Sequence, residues 1–350
     1  MARVGNPFVG IRRLAKSPIV QFAVFLLLVT TIVGMVFVQR SFLVEAETSY
    51  AELTFVGENV WNFPAATVCN PKEPDVTAGR TGDEICNPVL FEPPEEAWGE
   101  VTVNWSCGAR VAVQSDVDGD LVVTVLGLAT QAERPEGCDV SDADPPEADA
   151  RSPFGEDGEF APADAHGIVR DSIIVVRDRD WRATGALPFQ AAATVGEDIG
   201  PGAVHFLQSG RWEARQTSPV HDYVPFAHAV TEMVKKGELS LGAEVQVWDY
   251  RKGRPATMWG HITPTPDDFD NSLAGFDLVM LSSPGKTELR LAHFGFSEPA
   301  TIRPDWVDTA VNSPLFLAMF ALLSLIAVIL QIMKDTGELR RKTKTGAPPE

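Results

Sequence analysis

The chain has 350 residues, and its 29 lysine and arginine residues against 48 aspartate and glutamate residues give a formal net charge of -19. Because 45% of the residues are hydrophobic, the chain can bury a core and is not a disordered polyanion. The acidity argues against nucleic-acid binding, since a phosphate backbone selects a basic surface.

Two uncharged apolar segments lie near the chain ends, at residues 18–38 and 314–333. Each is long enough to cross a hydrocarbon core of roughly 30 Å as a helix. A cleaved signal peptide is the alternative for the first segment, but its apolar run is too long and no A-x-A site follows it. A buried helix is the alternative for the second. The sequence therefore predicts two transmembrane helices.

Basic residues flank both predicted spans on their terminal sides, and they favour a cytoplasmic position for both tails. Residues 1–17 and 334–350 are then cytoplasmic, and residues 39–313 form an extracytoplasmic domain. The predicted localisation is a two-span, multi-pass membrane protein, most simply of the plasma membrane, with lipid as a partner. The basic residues are Arg3, Arg12, Arg13, Lys16, Lys334, Arg340, Arg341, Lys342 and Lys344.

All four cysteines, Cys69, Cys86, Cys107 and Cys138, lie in the first part of this predicted domain. In an oxidising compartment they predict two disulfides, and the spacing leaves all three connectivities open. No CxxC pair is present, so a zinc site is not expected. Asn104 begins an Asn-Trp-Ser tripeptide, a glycosylation acceptor sequence that also occurs by chance.

The first half of the predicted domain has strand patterns separated by loops. Residues 39–68 alternate as extended chain. Ala109–Ser115 and Leu121–Leu126 predict a hairpin, because Asp118-Gly119 between two β-rich runs is a strong turn signal. Residues 131–167 are acidic and rich in proline and alanine, which predicts a long loop.

The second half predicts more strands and one helix. Ile168–Arg177, around the run Ile173–Val176, and Glu244–Tyr250 are strand candidates. Asp277–Ser282 with Thr287–His293 predict a second hairpin around Pro284-Gly285. Residues 225–236 predict a helix, because a proline fits the first turn and apolar residues recur at helical spacing. The predicted fold class is membrane α+β, with two transmembrane helices flanking a β-rich, disulfide-stapled extracytoplasmic domain.

Signatures of common enzymes are absent, since the chain has no G-x-S-x-G, H-E-x-x-H, Walker loop or G-x-G-x-x-G. His221 and His228 share no known metal-ligand spacing. Asp116, Asp118 and Asp120 could suggest a calcium loop, but the later glutamate ligand is missing. We therefore expect no enzymatic activity, no metal and no cofactor.

A segment after the first predicted span reads Asn-Phe-Pro-Ala-Ala-Thr-Val-Cys-Asn, at residues 62–70. It resembles the post-helix motif F-P-A-V-T-[IL]-C-N of the degenerin / epithelial sodium channel / acid-sensing ion channel family. Upstream, Gly10 matches the glycine of the family's His-Gly gating motif, although Val9 replaces the histidine. An alternative for the motif is a strand that enters the domain core with a proline kink. The matching motif residues are Phe63, Pro64, Ala65, Thr67, Val68, Cys69 and Asn70.

The resemblance implies a homotrimeric cation channel, permeable to sodium and gated through its ectodomain. Ser324 and Gln331 are then candidate polar pore residues, Ala318 and Ala321 candidate close-packing positions of the pore helix, and Gly10 a gating candidate. The family's nested bonds imply the disulfides Cys69–Cys138 and Cys86–Cys107.

Two other hypotheses stand beside the channel. The second predicted span lacks the family's Gly-x-Ser filter, which favours a non-conducting, membrane-anchored ectodomain for protein interaction or assembly. A different two-span channel, of the ATP-gated type, needs clustered basic residues for phosphate, and the acidity of the predicted domain argues against it.

Overall fold

The computed structural model describes residues 39–72, 86–92, 98–130, 170–197, 205–217, 231–265, 275–293 and 298–305, together with positions 308, 321, 324, 325, 328, 331 and 332. Residues 39–217 and 235–303 belong to one compact unit, and the rest of the chain belongs to a second. The first unit holds nearly all of the described residues.

Alternating apolar and polar residues form strands through most of the described chain. Helical backbone occurs in the short helix α1 (Asp178–Thr184) and at the separately described positions from 308 to 332. The strands are β1 (Gln39–Thr48), β2 (Tyr50–Phe55), β3 (Asn59–Cys69), β4 (Gly99–Trp105), β5 (Ala109–Ser115), β6 (Leu121–Leu128), β7 (Ile173–Val176), β8 (Leu187–Val195), β9 (Leu207–Thr217), β10 (Thr231–Leu239), β11 (Glu244–Asp249), β12 (Arg254–Pro255), β13 (Met258–Pro264), β14 (Phe276–Ser282), β15 (Thr287–Ala292) and β16 (Ala300–Ile302).

The strands pair in the order β10-β9-β1-β14-β13-β8-β2-β5-β6-β7-β3-β4, and β11 branches from β8 to carry β12, β15 and β16. The sheet curves around one core, because Phe55 of β2 lies against Trp61 of β3 with ring centroids 5.5 Å apart although three strands separate them in the order. Trp61 also donates a hydrogen bond from Nε1 to the carbonyl oxygen of Pro188 in β8, at 2.8 Å. Strands from both ends of the order therefore share one core.

One predicted hairpin is confirmed and the other is wrong. β5 and β6 pair across the Asp-Gly turn, where Gly119 has a φ of 84°, a conformation that glycine adopts without strain. β14 and β15 do not pair, because β14 lies between β1 and β13 while β15 lies between β11 and β16. Gly285 between them exchanges backbone hydrogen bonds with Arg40 instead.

The predicted helix over residues 225–236 is wrong where the structure describes it, because Thr231–Leu239 is strand β10 and pairs with β9. Apolar residues four apart share a face in a helix and also in a strand, so the spacing did not separate the two. The first part of the predicted helix, His221, His228 and the acidic loop at 131–167 lie outside the described residues.

The predicted membrane architecture also needs correction. No helix in the described part of the chain has the length and apolarity to cross a bilayer. α1 has seven residues and reaches only about 10 Å at 1.5 Å per residue. The fold class of two transmembrane helices flanking a β-rich domain is therefore wrong, as are the multi-pass membrane localisation and the transmembrane channel classification drawn from it. Residues 18–38 and most of 314–333 lie outside the described residues.

The disulfides implied by the family resemblance are wrong as well, because Cys69 pairs with Cys86 at a Cα–Cα distance of 5.6 Å. After β3 the chain returns on itself, and the amide of Glu92 donates to the carbonyl of Asn70 at 2.8 Å. This return brings Cys86 beside Cys69 and packs Phe91 over β6 and β7. Cys107 is also disulfide-bonded, and therefore not to Cys86.

Candidate binding face

The residues of the family-like motif occupy β3 and the position after it, and each has a structural environment. Phe63 is fully buried in the core, and Pro64 lies where the β3–β4 ladder is interrupted between Phe63 and Ala66. A proline lacks the backbone donor, so it fits an interruption of the ladder. Thr67 Oγ1 accepts from the amide of Trp98 at 3.3 Å, and Asn70 Oδ1 accepts from Ser172 Oγ at 2.7 Å. This matches the alternative of a core-entering strand with a proline kink.

The structure describes only some of the pore and gating candidates from the sequence. Ala321, Ser324 and Gln331 have helical backbone and are exposed, whereas Gly10 and Ala318 lie outside the described residues. Ala65 is half-buried in β3. Their proposed roles in gating and conduction stay predictions, as do the homotrimer and the permeant sodium ion.

The glycosylation candidate Asn104 lies in β4 opposite Val60 of β3 and is half-buried. Its Oδ1 is buried without a hydrogen-bond partner. Glycosylation at this position also stays a prediction.

A different group of residues is brought together on the solvent side of β9, β1, β14 and β13, which we call the outer face. Burial alternates along these strands, so every second side chain points away from the core. Residues directly opposite in antiparallel neighbours share a face, and the register therefore arranges the outer face in rows. The outer face consists of Leu43, Glu45, Glu47, Ser209, Arg211, Glu213, Trp259, His261, Thr263, Asp277, Val279 and Leu281.

One row of the outer face is apolar and open to solvent. Leu43 of β1 lies opposite Leu281 of β14, which lies opposite Trp259 of β13. Trp259 is 45% exposed and Leu281 is 38% exposed. An exposed tryptophan beside an exposed leucine is the kind of apolar surface that marks interaction sites, because a lone domain gains nothing by leaving it in water.

A second row, four positions along the strands from the apolar row, is acidic, and the row that holds Glu45, Val279 and His261 lies between the two. Glu47 of β1 lies opposite Asp277 of β14, and Ser209 donates its hydroxyl hydrogen to Glu47 Oε2 at 3.0 Å. An open cleft of about 680 Å³ lies here and is lined by Glu47, Asp277, Thr263 and Glu238 among others. Like charges directly opposite each other in a sheet are destabilising, so this row costs the fold stability.

The basic residue that lines this cleft is already engaged. Arg211 pairs with Glu45, with Nε 2.6 Å from Oε2. Glu47, Asp277 and Glu238 have no basic partner among the described residues. The outer face therefore carries carboxylates without an ion-pair partner two rows from its apolar row.

The surroundings of Asp277 disfavour ionisation of its carboxyl group. Burial raises its pKa above the ordinary value, and the negative charge of Glu47 raises the pKa further. The ionised form is therefore disfavoured in the folded protein, which is the state of a carboxylate that is missing a cationic partner.

We expect Asp277→Asn to stabilise the protein at neutral pH. Because the folded pKa lies above the unfolded one, the wild-type protein loses stability as the pH rises through that window, and the asparagine variant does not. The gain should be at most about 1 kcal/mol at pH 7 and should vanish as the pH approaches 4. Urea unfolding across this pH range measures it. Asp118→Asn, which removes an exposed charge at the β5–β6 turn, should change stability by less than about 0.5 kcal/mol. Equal gains in stability for Asp277→Asn and Asp118→Asn would contradict the conclusion that the surroundings of Asp277 disfavour its ionised form.

The described histidines, His205, His261 and His293, make neither a hydrogen bond nor an ion pair in the structure. No group of three or more His, Cys, Asp or Glu side chains in the described ranges is placed to hold a metal ion.

Sequence reasoning missed the outer face. The alternation in Asp277–Ser282 predicted a strand, but β13 with its exposed Trp259 was not predicted, and neither was β9. The available signal was the Met-Trp-Gly-His-Ile-Thr run at residues 258–263, which is rich in residues favoured in strands.

Comparison with known proteins finds no match, whether among protein-family models, curated proteins or solved structures. The resemblance of residues 62–70 to the degenerin / epithelial sodium channel / acid-sensing ion channel family consequently stays a prediction from the sequence.

Proposed function

We propose that this protein is a non-catalytic, protein-binding domain that works in an oxidising compartment and engages its partner through the outer face. The observation that carries the proposal is the exposed pair Trp259 and Leu281, opposite each other on adjacent strands. Two carboxylates without counter-ions, Glu47 and Asp277, lie two rows away on the same face. Aromatic side chains in such positions supply much of the binding energy at protein interfaces.

The disulfide supports the choice of compartment. Cys69–Cys86 holds the return after β3 against β6 and β7, and such bonds persist in oxidising surroundings. The rigid sheet beneath the outer face supports a binding role, because its strands are paired on both sides and hold the side chains in fixed rows.

Selection of peptides against the full-length protein tests the proposal. A displayed library of random dodecapeptides is panned on the wild-type protein and counter-selected on the Trp259→Ser, Leu281→Ser double variant. We expect enriched peptides that bind wild type at least about tenfold more tightly than the double variant. Leu241→Ser is the matched control, because Leu241 is 64% exposed in the turn after β10 and lies off the outer face.

The outcome that contradicts the proposal is equally specific. If every enriched peptide binds the double variant and wild type equally, the outer face is not the binding surface. Thermal unfolding of each variant confirms that a loss of binding is not a loss of the fold. Turnover of a substrate by the purified protein would contradict the non-catalytic assignment.

A further inference from the structure

The outer face also specifies the chemistry of what it binds, and this inference rests on the proposed function. We infer that the partner presents an extended segment with both apolar and cationic side chains, the apolar ones against Trp259 and Leu281 and the cationic ones against Glu47 and Asp277.

The apolar half follows from the row that β13, β14 and β1 present to solvent. Trp259, Leu281 and Leu43 are neighbours across three strands, with Val279 one row nearer the carboxylates. Two or three aliphatic or aromatic side chains of a partner would cover this row and release its water.

The cationic half follows from the charges that the face leaves unpaired. Glu47, Asp277 and Glu238 line one cleft, and Arg211, the basic residue among the described residues of its lining, is already bound to Glu45. The raised pKa of Asp277 agrees with a carboxylate that lacks a cation. A lysine or arginine side chain entering the cleft would supply the missing cation. The net charge of -19 would also attract a basic segment from a distance.

The backbone of these strands limits how the segment can bind. β1, β14 and β13 each have partners on both sides, so their backbone donors and acceptors are already used. The partner therefore does not add as a further strand here, and side chains must carry the recognition.

The row spacing sets the spacing of the partner's residues. Leu281 and Asp277 are four residues apart on β14, which places their side chains about 13 Å apart on one face. An extended segment matches this distance with an apolar residue at one position and a basic residue four positions away.

Other occupants fit less well. A second copy of the chain would bring the same unpaired carboxylates against these, and like charges across an interface are costly. Nucleic acid and anionic lipid are repelled for the same reason. A dimer that requires Trp259, seen by sedimentation of the wild type and absent in Trp259→Ser, would replace the inference.

Three synthetic peptides test the inference by fluorescence anisotropy on the full-length protein at low salt. The probe is SLSLSRSRS, which places apolar and basic residues four apart. SLSLSESES reverses the charge, and SSSSSRSRS removes the apolar residues. We expect SLSLSRSRS to bind at least about tenfold more tightly than either of the others.

Matched variants then locate the contact. Glu47→Gln with Asp277→Asn should weaken SLSLSRSRS by roughly 2- to 30-fold and flatten its salt dependence. The control pair Glu58→Gln with Glu100→Gln changes the net charge equally at exposed positions before β3 and in β4, and should leave affinity within about twofold.

The outcomes separate the two proposals. Loss of SLSLSRSRS binding in Trp259→Ser with no change in the carboxylate pair would overturn the cationic assignment and leave the binding face standing. Equal weakening by both charge pairs would show a general effect of net charge and would also overturn it. No binding of SLSLSRSRS to wild type at about 1 mM overturns the inference, while the library selection still judges the proposed function.

Discussion

Glu288→Ala should be among the most destabilising single substitutions in the described chain. Glu288 is only 2% exposed, and its carboxylate accepts from Arg290 Nε at 3.0 Å and from Arg303 Nε at 3.1 Å. The two guanidinium groups also lie over aromatic rings, Arg290 over Trp248 at 4.0 Å and Arg303 over Tyr250 at 3.8 Å. Removing the carboxylate leaves two facing cations without their shared anion.

We expect a loss of about 2–4 kcal/mol in the free energy of unfolding for Glu288→Ala. This is less than for a wholly buried ion pair, because the arginines are partly exposed and water screens them. Urea unfolding measures it. Asp180→Ala, which breaks the exposed pair with Arg179, is the control and should cost less than about 1 kcal/mol. Similar losses in both variants would show that the network of Glu288, Arg290 and Arg303 contributes no more than a surface ion pair.

Trp61→Ala should have an effect of the same size through the core. Trp61 is 1% exposed, and its ring packs edge-on against Phe55, Phe63 and Trp105 with centroids 5.5 to 6.3 Å apart. Alanine would leave a large cavity and remove the Nε1 donor from the carbonyl of Pro188, at a cost of about 3–5 kcal/mol. Because Trp61 joins β3 to β8 across the core, the loss should reach the whole sheet.

The residue beside it in sequence provides the control. Val60 is 56% exposed on the opposite side of β3, so Val60→Ala keeps the strand and removes only surface contacts. We expect Val60→Ala to change the free energy of unfolding by less than about 0.5 kcal/mol. Thermal and urea unfolding should agree, and a Trp61→Ala protein as stable as Val60→Ala would contradict the role assigned to the aromatic cluster.

The outer face shows how much of a binding surface can be predicted from the sequence alone. Alternation identified β14 as a strand, and therefore predicted that Asp277, Val279 and Leu281 share one side of it. Nothing in that pattern shows that β1, more than two hundred residues earlier in the chain, lies beside β14 with Glu47 opposite Asp277. The acidic row is thus a property of the pairing, and it appears only when the strands are assembled.

Local chemistry determined what lies within a few residues. The strands of the β5–β6 hairpin follow from side-chain alternation, and its turn at Gly119 follows from the backbone freedom of glycine. These features depend on neighbours in sequence, and the residues from Ala109 to Leu128 contain them.

Tertiary structure decided the partners. It placed β10 in the sheet beside β9, separated β14 from β15, and joined Cys69 to Cys86 through the return after β3. The reason is physical: a strand satisfies its hydrogen bonds and buries its apolar face against whichever strands the whole core brings near, and the loop-closure cost grows only slowly with separation along the chain. A strand can therefore pair with a segment that is distant in the sequence rather than with a near one, and local patterns do not show which segment that is.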